Sequence, residues 1–203
     1  MNSNLKSKRG ACPLVLFLLT FCLPAVACAH SASGTVGGLV SGFTHPLGGL
    51  DHIVAMVAVG LWGAFLGGRA MWTLPVVFPV VMAVGGALGV VGVELPGVET
   101  GIALSGVVLG VMVALAARPP LWVAAVLVGI FAVFHGHAHG TELPPGHSGM
   151  LYSAGFVAAT GALHAVGIGI GLLQRWPAGR IALRGAGAAV AGAGLYFLWR
   201  ALA

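Results

Sequence analysis

Two short stretches of the chain concentrate side chains that bind cations. The first reads His45-Pro-Leu-Gly-Gly-Leu-Asp51-His52, and the second reads Phe134-His135-Gly-His137-Ala-His139-Gly-Thr-Glu142. Imidazole nitrogen and carboxylate oxygen, with no sulfur beside them, suit borderline divalent ions such as Ni²⁺, Co²⁺ or Zn²⁺ rather than Cu(I). Calcium and magnesium would want more oxygen ligands. On a continuous helix His45 and His52 lie two turns apart on one face, with Asp51 beside them. Pro46, Gly48 and Gly49 argue against continuity, so a break is expected between His45 and Asp51. In the second stretch a helix stacks His135 on His139, sets Glu142 one turn beyond and turns His137 about 200° away. Unwinding at Gly136 and Gly140 would instead let all three histidines face one way, as in a strand. Either geometry converges several imidazoles on a carboxylate. The plainer readings are a helix cap at Asp51 and His52, and an exposed His-rich turn running into Leu143-Pro-Pro-Gly-His147. Both are outweighed, because polar groups in apolar surroundings are costly and do not accumulate casually.

The surroundings are indeed apolar. Of 203 residues, 59% are hydrophobic and 6% charged, where soluble domains carry about 25% charge. That composition excludes a water-soluble globule, and its hydrophobicity excludes a disordered chain. Lys6, Lys8 and Arg9 precede an apolar run from Ala11 to Val26 and the small-x-small site Ala27-Cys28-Ala29. This is the pattern of a secretory signal peptide over residues 1–29; an uncleaved anchor helix is the alternative. Cleavage would remove both lysines and all three cysteines (Cys12, Cys22, Cys28). The mature chain then has no disulfide, thiolate site or cysteine nucleophile. Its scattered arginines do not form a nucleic-acid surface.

The remaining residues, 30–203, read as one all-α domain, a polytopic transmembrane helical bundle of about six spans. Apolar segments of about 20 residues, the length that crosses a bilayer core, fall near 48–67, 72–92, 99–117, 120–139, 150–173 and 181–201. The Gly/Ser-rich stretch 31–45 is expected to form a short helix dipping into the membrane. Arg69, Arg118, Arg175, Arg180 and Arg184 fall in alternate loops, and Glu94, Glu99 and Glu142 in the others, with Arg200 as an exception. The positive-inside rule then puts the protein in the cytoplasmic membrane with its mature N-terminus and both His-rich stretches outside. Trp72, Trp122 and Trp176 mark the inner boundary, Tyr152 and Trp199 the outer one. Gly85/Gly89, Gly106/Gly110 and Gly167/Gly171 are small-xxx-small pairs for close helix packing. Gly167-Ile-Gly-Ile-Gly171 has no strand before it, so it reads as packing rather than a phosphate loop, and no nucleotide site is expected.

Three further residues are weaker candidates. Glu99 can add a carboxylate, or simply favour a helix N-terminus. His164 lies about 22 Å into its span by helical rise, as a relay on an inward path or as a helix–helix hydrogen bond. His30, if N-terminal after cleavage, could chelate a metal through its amine and ring.

Together the two motifs resemble the signatures of the HupE/UreJ family of nickel/cobalt permeases. His45-Pro-Leu-Gly-Gly-Leu-Asp-His52-Ile-Val-Ala-Met56-Val-Ala-Val-Gly60 matches the opening signature and Phe134-His-Gly-His-Ala-His-Gly-Thr-Glu142 the second. The resemblance implies uptake of Ni²⁺ or Co²⁺ for hydrogenase or urease assembly. It gives ligand roles to His45, Asp51, His52, His139 and Glu142, adds His135 and less firmly Glu99, and leaves His137 variable. It implies a transported metal ion rather than a resident cofactor, no enzymatic activity, and a bilayer environment; association between copies stays open. Two other classes remain: a haem-binding electron carrier, since paired histidines on transmembrane helices can be axial ligands, and an intramembrane metallohydrolase. The latter lacks H-E-x-x-H, because Glu142 follows the histidines rather than separating them.

Overall fold

The computed structural model describes residues 35–203; the expected signal peptide and His30 lie outside them. The described chain is all-helical, in seven α-helices. Helix α1 (Thr35–Thr44) runs through a single 3-10 turn (His45–Leu47) into α2 (Leu50–Leu66). There follow α3 (Ala70–Val90), α4 (Val98–Ala114), α5 (Leu121–Thr141), α6 (Gly149–Gly171), a second 3-10 turn (Leu172–Arg175) and α7 (Pro177–Leu202).

The break expected between His45 and Asp51 is present. Pro46 opens the 3-10 turn, Gly49 is extended at φ −106°, ψ 117°, and the axes on either side bend by 83°. Two expected spans end early. Helix α2 stops at Leu66 because Gly67 takes φ +73°, and α4 stops at Ala114, just before Ala116 takes φ +55°; left-handed residues end α-helices. Four helices (α3, α5, α6 with its 3-10 extension, and α7) are long and apolar enough to cross a membrane, and the bent α1–α2 pair makes a fifth. Helix α4 is apolar but has 17 residues, about 26 Å against a hydrocarbon core of about 30 Å. The expected count of about six spans is therefore not reached on length and composition alone.

Glycines set which helices pair. A Cβ on Gly85 would strike the Val133 carbonyl and one on Gly140 the Gly86 carbonyl, so α3 and α5 run parallel with their backbones in contact. Gly167 and Gly171 press α6 parallel to α2, at Val57 and Ala64. Gly106 and Gly110 meet Gly194 and Ala191, which makes α4 and α7 antiparallel. Each expected glycine pair thus packs helices, as small-xxx-small pairs do. The core inside these pairs is built of large side chains: Met56, Trp62, Phe78, Leu109 and Leu183 are fully buried or nearly so.

Trp72, Trp122, Trp176 and Trp199 are exposed, as interfacial rings should be, but Tyr152 is buried, 4% exposed. The expectation for Tyr152 is corrected: its ring turns inward toward His45 (centroids 5.7 Å apart) instead of lining the bundle's rim.

Candidate metal centre

The bend between α1 and α2, the end of α5 and the start of α4 close around one cavity of about 470 Å³. Its lining includes His45, Asp51, His52, Glu99, His139 and Glu142, with Ser41 and Thr44 from α1. Residues from 41 to 142 in sequence thereby meet in one place. The bend is what permits it, because it delivers His45 ahead of α2 while Asp51 and His52 occupy its first turn.

The second stretch is helical through Thr141, which decides between the two geometries. Gly136 and Gly140 do not unwind the helix; they face α3, where a Cβ would strike the Met82 and Gly86 carbonyls. His135 and His139 consequently stack on the neighbouring face, about 100° around the helix. The rings of His52 and His139 have centroids 4.5 Å apart, those of His52 and His135 5.0 Å, and those of His45 and His139 4.9 Å. His137 turns away and donates from Nε2 to the Val93 carbonyl at 2.7 Å, tying α5 to the α3–α4 loop. It takes no part in the cluster.

The hydrogen bonds set which ring nitrogens carry protons. His52 donates from Nδ1 to Asp51 Oδ1 at 2.9 Å, and the same oxygen accepts the His52 backbone N–H at 2.8 Å. A carboxylate can only accept, so a neutral His52 keeps its lone pair on Nε2, which is buried and has no hydrogen-bond partner among the described residues. His135, wholly buried, donates from Nδ1 to the Phe131 carbonyl at 3.0 Å and likewise leaves Nε2 unpaired. Both nitrogens of His139 are unpaired, with Nδ1 3.8 Å from Glu142 Oε2. His45 donates from Nε2 to that same oxygen at 2.8 Å.

These side chains share a fold and a chain with known relatives. The family model described as HupE / UreJ protein matches residues 17–197. The chain belongs to the HupE/UreJ family. It is 50% identical over 184 residues to Protein HupE of Rhizobium leguminosarum bv. viciae, covering 89% of this chain and 94% of that protein. No solved structure gives a significant match. The match to the HupE/UreJ family spans every residue that lines the cavity.

As chemistry, this HupE/UreJ cavity offers unprotonated imidazole nitrogens beside carboxylates. One donor atom each from His45, His139 and Glu142 lies within 4.8 Å of the others. A first-row ion bound at about 2.1 Å to each needs those atoms within roughly 4 Å, a side-chain adjustment rather than a backbone one. Asp51 is placed differently from the expectation of a direct ligand: it grips His52, the carboxylate–histidine arrangement that orients a ligating ring. Phe156 and Phe78 were not foreseen. Phe156 lies 4.0 Å from the His139 ring and Phe78 5.4 Å from the His135 ring, between centroids. A signal for Phe156 existed, since Tyr152, Phe156, Thr160 and His164 recur every four residues along α6 and form one face.

Proposed function

We propose that this HupE/UreJ protein takes up Ni²⁺ or Co²⁺ from the outer face of the cytoplasmic membrane and moves it inward for hydrogenase or urease assembly. The observation that carries this reading is the convergence of His45, His52, His139 and Glu142, with Asp51 and Glu99, on one cavity of a membrane bundle. The ion enters beside the exposed Glu142, exchanges part of its water for His45, His139 and Glu142, and reaches the unpaired Nε2 of His52. Breaking the His45–Glu142 hydrogen bond offsets part of the binding energy, which keeps the ion releasable, as conduction requires. His135 lies deepest and receives the ion next; Glu99 adds negative charge at the mouth. Mixed imidazole and carboxylate donors bind nickel and cobalt alike.

Radioactive nickel uptake in cells expressing the full chain tests this, with Asp51→Ala and His139→Ala as comparisons. Uptake should exceed the empty vector clearly and fall to background in both variants. Uptake equal to the vector, or unchanged in both variants, would sink the reading.

A further inference from the structure

Below the cavity one buried polar group is left without structural employment. His164 on α6 is 1% exposed, and neither ring nitrogen has a hydrogen-bond partner among the described residues. A helix–helix hydrogen bond of normal geometry is not made, and the backbone group nearest the ring belongs to Pro75 on α3. Thr160, one turn closer to the cavity on the same face, is wholly buried with its hydroxyl also unpaired. Ionisable and polar groups at membrane depth are costly to keep and mark ion paths when they face the bundle interior.

Two further observations point these groups at a cation. The ring of Phe78 makes edge contacts with both His135 and His164, each with centroids 5.4 Å apart, so one aromatic side chain touches both His164 and the His135 ring that packs on His52 of the cavity. Pro79 lies inside α3 and has no N–H, which leaves the Pro75 carbonyl without its helical partner. The backbone of Pro75 lies beside the His164 ring without a hydrogen bond of normal geometry. An unpaired imidazole with a freed carbonyl beside it, and an unpaired hydroxyl one turn along the same helix face, are thus buried in the bundle interior.

We propose that His164, Thr160 and the Pro75 carbonyl form a second, inner station for the transported divalent cation, with the Phe78 ring as the partition between it and the outer cluster. This rests on the transport reading and extends it inward. One nitrogen with two neutral oxygens binds more weakly than the outer donor set and carries no fixed charge, so the ion rests there without being trapped. Rotation of the Phe78 ring would open the way between the stations.

Nickel uptake and cadmium inhibition in cells producing wild type, His164→Ala and His164→Cys test the station, with membrane abundance measured for each. Wild-type and Asp51→Ala uptake judge the transport reading separately. His164→Ala should lower uptake at saturating nickel about tenfold while half-saturation stays within about threefold, because capture at the outer cluster is untouched. His164→Cys puts a thiol among the donors, so cadmium should block nickel uptake at concentrations about tenfold below those needed for wild type. A residue that only packs would give the cysteine variant no such sensitivity. Wild-type uptake by His164→Ala, or wild-type cadmium sensitivity in His164→Cys, overturns the proposal. Should either variant be missing from the membrane, Thr160→Cys takes its place under cadmium: heightened sensitivity supports the station, and wild-type sensitivity overturns it.

Discussion

Asp51 shows how much the candidate site depends on a proton's address. Its carboxylate holds His52 Nδ1–H at 2.9 Å and so leaves the lone pair on Nε2, toward His139 and His135. Asp51→Asn keeps the shape, and its amide oxygen can still accept both N–H groups, but the substitution removes the negative charge that fixes the Nδ1–H and makes Nε2 the stronger donor. Partners of this kind are worth about 10–100-fold in metal affinity. Nickel titration of the purified protein should show a loss in that range for Asp51→Asn, with cavity residues otherwise intact; an unchanged affinity would show that His52 needs no orientation from Asp51. That these side chains belong together was readable in the sequence, because imidazoles and carboxylates in so apolar a chain have few bland explanations. Their division of labour was not. The family resemblance implied a ligand role for Asp51, whereas its position in the first turn of α2 sets it against its neighbour's ring. Likewise His137 became separable from His135 and His139 only once the segment proved helical.

Elements settle that point, and they do so through small residues. Gly136 and Gly140 admit the backbone of α3, and by doing so they turn His135 and His139 toward α2 and α6. In the sequence these two glycines read as places where the helix could unwind, since a glycine's packing partner on another helix leaves no local trace. The pairs at Gly85/Gly89, Gly106/Gly110 and Gly167/Gly171 were readable because their spacing stood in uninterrupted apolar runs. Gly140→Ala should therefore wedge α5 off α3, at about 1–3 kcal/mol for overpacking a tight interface. Its melting temperature in detergent should drop and nickel uptake should fall with it. Gly161→Ala, where a Cβ meets nothing within 4 Å, is the control and should leave both unchanged. Equal behaviour of the two variants would mean that α3 and α5 can part without consequence. The opposite end of the bundle is fastened by side chains on carbonyls at or just past helix ends: Arg184 Nε donates to Ala114 O at 2.8 Å, Trp62 Nε1 to Ala117 O, beyond α4, at 3.2 Å, and Gln174 to Ala64 O. Helix ends lack intrahelical partners for these carbonyls, so the bonds close α2 and α4 where both stop short of their expected lengths.

At the scale of the molecule, the candidate cavity and five of the six arginines among the described residues occupy opposite ends, Arg200 near the end of α7 being the exception. Arg69 lies between α2 and α3, Arg118 between α4 and α5, and Arg175, Arg180 and Arg184 lie at the α6–α7 junction, so alternate connections carry the bases. Glu94, Glu99 and Glu142 sit in or beside the other connections, and Asp51, at the start of α2, lies with them. For a bundle so polarised the positive-inside rule predicts an orientation with its arginine-rich end in the cytoplasm. The same polarity bears on transport: a mouth lined by Glu99, Glu142 and Asp51 concentrates cations on the side it faces. Direction of uptake and orientation are therefore one question. Pro145, in the α5–α6 connection, and Ala178, in the first turn of α7, are both exposed and lie at opposite ends. In intact spheroplasts a membrane-impermeant maleimide should label Pro145→Cys and leave Ala178→Cys unlabelled until the membrane is disrupted, with the unsubstituted chain as background. Labelling in the reverse order would turn the cavity toward the cytoplasm, and the same donors would then load metal for export rather than import.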